Sequence, residues 1–177
     1  MALSRTGLFI GRFQPLHKGH MHAIRFCLER CDRLVIGIGS SQESGTGNNP
    51  LTSTDRIRIL KAGLSSSGID LKRISFLKIP DFNDNDRWFR YITRRHKGID
   101  VVFSRNRLVL RIFKEHQIKA AMPPWHERRM LVATRIREMI KKGLRWQPLV
   151  PRGAVKLISS HDGEIINARR SKSPKKG

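Results

Sequence analysis

The chain has 177 residues, 38% of them hydrophobic, and carries 36 Lys and Arg against 14 Asp and Glu, a formal charge of +22. That length suits a single domain with a core of its own, and no apolar run approaches the roughly 20 residues needed to cross a bilayer. The start lacks the long apolar segment of a secretory leader, and only Cys27 and Cys31 occur, which argues against a disulfide framework or a cysteine metal cluster. A cytoplasmic protein with two buried thiols and no membrane contact is expected. Its field attracts polyanions, so nucleic acid is expected to bind only non-specifically.

In chain order, Leu8 to Ile10 reads as a short buried strand and Met21 to Leu28 as an amphipathic helix. Leu34 to Gly39 is a second strand, followed by a Ser/Gly/Asn-rich loop from Ser40 to Pro50. Thr54 to Leu64 has its apolar positions Ile57, Ile59, Leu60 and Leu64 on a helical pattern, with caps available from Thr52 to Thr54. Ile74 to Pro80 predicts a third strand, Asp84 to His96 a helix, and Val101 to Ser104 a fourth strand. Arg107 to His116 continues as helix and Ile118 to Met122 as a fifth strand, with helices over Thr134–Lys142 and Ala154–Ser160. This alternation predicts an α/β protein with a doubly wound parallel sheet. Residues 1–167 are expected to form its single domain, and 168–177 a flexible basic tail. In such a sheet, ligands bind beyond the carboxyl ends of the strands.

The densest chemistry lies between the first strand and the first helix, in Gly11-Arg12-Phe13-Gln14-Pro15-Leu16-His17-Lys18-Gly19-His20. A helix N-terminus there offers free backbone N–H groups and a positive dipole end, both favourable to anions. Imidazoles at the same junction can donate hydrogen bonds to phosphate oxygens.

These ten residues resemble the signature of the nucleotidyltransferase superfamily that carries an H-x-G-H motif. The G-R-F-Q-P lead-in is similar to that of the archaeal-type nicotinamide mononucleotide adenylyltransferases, and the resemblance runs from about Leu8 to Ile158. It implies a Rossmann-like nucleotidyltransferase fold and adenylyl transfer from ATP to nicotinamide mononucleotide (NMN), giving NAD and pyrophosphate. By the same resemblance His17, His20 and Arg12 are the catalytic residues, in contact with the phosphates of ATP. Phe13, Gln14, Gly19, Ser104, Asn106, Thr134 and Arg137 belong to the ATP side. Ser40, Asp81, Asn85 and Trp88 belong to the NMN side, with Asn85-Asp86-Arg87-Trp88 matching an Asn-x-x-Trp segment that lines the nicotinamide subsite. Trp88 offers the cationic pyridinium a flat aromatic face. Mg²⁺ is expected to arrive with ATP, with no tightly bound cofactor and no protein metal site. A homo-oligomer is expected, because relatives assemble that way.

The chain departs from the family pattern at several places. Val132 and Ala133 precede Thr134 where Ser and Gly are usual, and Arg105 and Arg107 replace the Gly and Pro of S-G-N-P-L-V. Asn48 stands where relatives often carry arginine. Two other readings follow: an adenylyltransferase for another small phosphorylated acceptor, and a non-catalytic basic binder of nucleotides or RNA on the same fold.

Overall fold

The computed structural model describes residues 5–127 and 130–168. Five strands form one sheet: β1 (Thr6–Gly11), β2 (Arg33–Ile38), β3 (Ile74–Lys78), β4 (Val101–Phe103) and β5 (Lys119–Ala121). Every pairing is parallel, in the order β3-β2-β1-β4-β5. The helices among the described residues are α1 (Lys18–Leu28), α2 (Ser53–Ser65), α3 (Asn85–Arg95), α4 (Arg107–Glu115), α5 (Ala133–Lys141), α6 (Val155–Ser159) and α7 (Asp162–Asn167). The sheet grows outward from β1 in one direction through β2 and β3. It then restarts on the other side with β4 and β5, so the order reverses between β1 and β4.

Strand alternation divides the core in two. Phe9, Leu34, Ile36, Ile38 and Phe103 point to one face, against α1, α2, α5 and the C-terminal helices. Leu8, Val35 and Val102 point to the other face, where Ile92 of α3 and Val109 and Phe113 of α4 cover them. Because both faces are covered, the strands are near-continuous hydrophobic runs, which made them readable in the sequence. Cys27 and Cys31 are buried free thiols, and burial pushes both up from their ordinary values.

The structure extends or shifts several expected elements. Helix α1 begins at Lys18, not Met21, with His17 as its extended N-cap. His20 therefore stands inside the first turn. Helix α5 begins at Ala133 with Val132 at the N-cap position and no side-chain cap, so Thr134 lies within the helix and does not cap it. A 3₁₀ turn at Arg152–Ala154 leads into α6, and α7 is a helix for which the sequence carried no periodic signal. Six residues with Gly163 among them hold one buried anchor, Ile165. The expected basic tail, beyond Ala168, lies outside the described residues.

Candidate active site

A cleft of about 570 Å³ opens at the carboxyl edge of the sheet, over the point where the strand order reverses. Each strand contributes through the segment that follows it: Arg12 after β1, Ser40 after β2, Asp81 after β3, Arg105 after β4 and Trp125 after β5. Since the strand order is β3-β2-β1-β4-β5, Ser40 and Asp81 occupy one end and Arg105 and Trp125 the other. The β1–α1 segment lies between them.

His17 and His20 line the centre of the cleft with their rings stacked, 3.7 Å between centroids and 28° between planes. The backbone N–H of His17 donates to His20 Nδ1 at 3.3 Å. An Nδ1 that accepts leaves the proton of a neutral imidazole on Nε2, so His20 carries an N–H donor. Burial, then the neighbouring charge of Arg105, pushes His17 down to about 3. Burial, His17 and Arg105 hold His20 well below the ordinary histidine range. Near neutral pH both rings are therefore uncharged donors. The intrahelical bonds of α1 begin with His20 N and Met21 N to His17 O, so the amides of Lys18 and Gly19 stand at the open end. A Cβ on Gly19 would sit 3.0 Å from the His17 ring and 3.2 Å from Leu131 Cβ. The absence of that atom lets the imidazole and the approach to α5 pack together.

Below the cleft floor Arg56 is fully buried. Its guanidinium donates to the carbonyls of Arg12 (3.1 Å), Gly39 (2.8 Å), Ser40 (3.1 Å) and Glu43 (3.4 Å), and its Nε to Thr52 (3.3 Å). One cation from α2 thus ties the segments after β1 and β2. Burial lowers its pKa to about 10, which leaves it charged at neutral pH. Arg56 belongs to no motif, yet the sequence carries a signal for it: it lies three and four residues before Ile59 and Leu60, on the apolar face of the helix.

At the β2–β3 end, Asp81 accepts from Ser40 Oγ at 3.2 Å and Gln42 Nε2 at 3.0 Å, while its N–H donates to Gln42 Oε1 at 3.1 Å. Trp88 lines the cleft and meets Phe113 edge-on, with centroids 6.1 Å apart. Asn85, the first residue of α3, is exposed and outside the cleft lining.

Ser104 and Asn106 line the β4 side, where Asn106 N donates to Ser104 Oγ and Asn106 Oδ1 caps α4 by accepting from Leu108 N. Five residues expected on the ATP side lie outside the cleft lining, among them Gly19, buried in the first turn of α1. Phe13 is buried between Phe9 and His20. Gln14 is buried and exchanges hydrogen bonds with both backbone groups of Leu51, at 2.8 and 3.0 Å. Arg137 is buried and donates to Gln14 O at 2.6 Å and to Thr134 Oγ1 at 3.4 Å. Thr134 is exposed on α5 and outside the lining. Gln14 and Arg137 are engaged behind the wall because the fold brings Leu51 to Gln14 and Gln14 to Arg137, a proximity that no local pattern encodes.

Among the described residues, no group of three or more His, Cys, Asp or Glu side chains is placed to hold a metal ion, and no helix is long and apolar enough to cross a membrane.

The cytidylyltransferase-like family model matches residues 8–139. A nicotinamide-nucleotide adenylyltransferase of Saccharolobus solfataricus is 42% identical over 158 residues, covering 89% of this chain and 92% of its own. Another, of Pyrococcus horikoshii, is 40% identical over 157 residues, covering 89% of this chain and 84% of its own. Among solved structures, a bifunctional NMN adenylyltransferase/ADP ribose pyrophosphatase of Francisella tularensis, complexed with AMP and a manganese ion, shares the fold. Its TM-score is 0.76 at 20% identity, with 93% of this chain and 52% of that chain covered, so this chain spans about half its length.

Proposed function

We propose that this chain, which belongs to the cytidylyltransferase-like family and within it to the nicotinamide-nucleotide adenylyltransferases, joins ATP and nicotinamide mononucleotide into NAD and releases pyrophosphate. The observation that carries this reading is a stacked pair of neutral histidines at an open helix N-terminus, in the same cleft as Arg12.

A phosphate oxygen of the mononucleotide attacks the α-phosphorus of ATP. The bond from that phosphorus to the bridging oxygen of the β-phosphate breaks, and its electron pair leaves with pyrophosphate. The attacking oxygen is already anionic, so no general base is required. The rate comes from alignment and from charge neutralised in the transition state. His17 and His20 act as N–H donors to phosphate oxygens, and Arg12 adds a full positive charge. The open N-termini of α1 and α5 add partial positive charge. On the NMN side, Trp88 offers its face to the pyridinium. Asp81, oriented by Ser40 and Gln42, accepts from the carboxamide, with Asn85 at the margin. Ser104 and Asn106 serve the adenosine. Phe13, Gln14, Gly19 and Arg137 act one layer back, holding the β1–α1 segment and α5 in register, with Thr134 Oγ1 accepting from Arg137.

A divalent ion would enter on the triphosphate, held by phosphate oxygens and water, which suits a cleft whose acidic lining is Asp81. When bound it neutralises phosphate charge. Assembly as a homo-oligomer in the cytoplasm belongs to the same reading, and sedimentation velocity tests the oligomer. Incubating the purified protein with ATP, Mg²⁺ and NMN should release pyrophosphate and NAD in equal amounts, read by chromatography. Failure to form the dinucleotide under these conditions would overturn the assignment.

A further inference from the structure

Among the described residues, two cations line the cleft, Arg12 and Arg105. Arg105 follows β4, at the end away from Ser40 and Asp81. Its guanidinium carbon lies 4.3 Å from the centroid of the Trp125 ring, close enough for a cation–π contact. Nη2 donates to Pro124 O at 2.7 Å and, at the limit of a hydrogen bond, to Gly19 O at 3.5 Å. Nε is buried and has no hydrogen-bond partner. A desolvated donor with no acceptor is unfavourable, so the hydrogen-bonding capacity of this guanidinium is not exhausted within the protein. The charge of Arg105 also reaches the centre of the cleft, where it lowers the pKa of both His17 and His20.

Among the described residues, the neighbouring groups leave a need for this cation. Val132 and Ala133 line the cleft with side chains that cannot donate, and Arg137 is bound to Gln14 O behind the wall. We propose that Arg105, braced on the Trp125 ring, is the catalytic ligand of the departing pyrophosphate. This rests on the adenylyl-transfer reading. As the α-phosphorus bond to the bridging oxygen breaks, the electron pair settles on the β-phosphate, and the guanidinium donates hydrogen bonds to it with no proton transferred. The long contact to Gly19 O yields to the anion, while the Pro124 and Trp125 contacts keep the side chain in place.

The reverse reaction isolates this role, because there pyrophosphate is a substrate. In Arg105→Gln, KM for pyrophosphate in NAD pyrophosphorolysis should rise at least tenfold, and forward kcat should fall by about 10²-fold, as for the loss of one preorganised donor. KM for NMN should stay within twofold. Arg105→Lys, which keeps the charge but loses the planar contact with Trp125, should fall between the two and serves if the glutamine variant does not fold. Calorimetry with pyrophosphate and Mg²⁺ gives a readout that needs no turnover: wild type should bind, and Arg105→Gln should bind at least tenfold more weakly. If the wild type makes NAD and the foldable variants keep its pyrophosphate KM and affinity, the assignment of Arg105 fails while the enzyme reading stands. If the wild type makes no NAD, the enzyme reading fails, and with it the role of Arg105 in the reaction.

Discussion

His20 offers a neutral N–H from Nε2 because its Nδ1 is occupied by the backbone of His17. In His20→Ala that donor is lost, and kcat should fall about 10²–10³-fold with an unchanged circular dichroism spectrum; near-wild-type turnover would remove the histidines from the chemistry. The same burial links the pair to stability. The folded state keeps His17 neutral down to about 3, whereas an unfolded histidine takes up a proton near 6.5. Below 6.5 the unfolded chain therefore binds more protons, and stability falls as pH drops, by up to about 1.4 kcal/mol per pH unit for each such histidine. Melting temperature should decline between pH 6.5 and 4, and His17→Gln should flatten that decline. Trp88→Ala should raise KM for NMN at least fivefold with little change in KM for ATP. Equal weakening of both would assign the indole to its packing on Phe113. The histidine motif was legible because its residues are contiguous and sit at a strand-to-helix junction. The burial of Arg137 against Gln14, 123 positions away, was not, because long-range proximity leaves no trace in local spacing.

At the scale of elements, α2 does more than cover the sheet. Arg56 reaches from it to the loops after β1 and β2, so Arg56→Ala should strip several buried carbonyls of their donor and destabilise the fold by about 3 kcal/mol or more. Chemical denaturation measures this, and a loss under about 1 kcal/mol would mean that water replaces the guanidinium. Gly153, in the 3₁₀ turn before α6, lies so close to α2 that a Cβ would come within 2.5 Å of Ala62 O. Gly153→Ala should therefore cost about 1–3 kcal/mol through forced backbone movement, seen as a lowered melting temperature. Strands β1 to β4 were legible from their apolar runs, since both sheet faces are covered. Helix α7 was not: one buried isoleucine in a six-residue helix makes no period. Helix α5 begins one residue before the expected Thr134, because Val132, which has no polar side chain to announce a cap, takes the N-cap position and leaves the helix end open.

At the scale of the molecule, the sheet order distributes the cleft among all five strand ends, with two tryptophans on its wall. The net charge of +22 is spread along the chain and exceeds what one nucleotide cleft requires. It should make the protein bind RNA weakly and salt-sensitively, by about 0.7 in the log–log slope for each single-strand phosphate neutralised. Removing residues 168–177, which carry five basic residues and no acid, should reduce that slope and leave NAD synthesis intact. Loss of activity in the truncated protein would bring the tail into the catalytic unit. The placement of the chain's three indoles also makes the protein its own optical probe. Trp88 and Trp125 stand on the cleft wall, Trp125 with 46% of its surface exposed, while Trp146 is 4% exposed within the core. Ligand occupancy should quench the emission of the first two without shifting that of the third. Unfolding should move Trp146 to longer wavelength. One unlabelled sample can thus report binding and stability through separate signals.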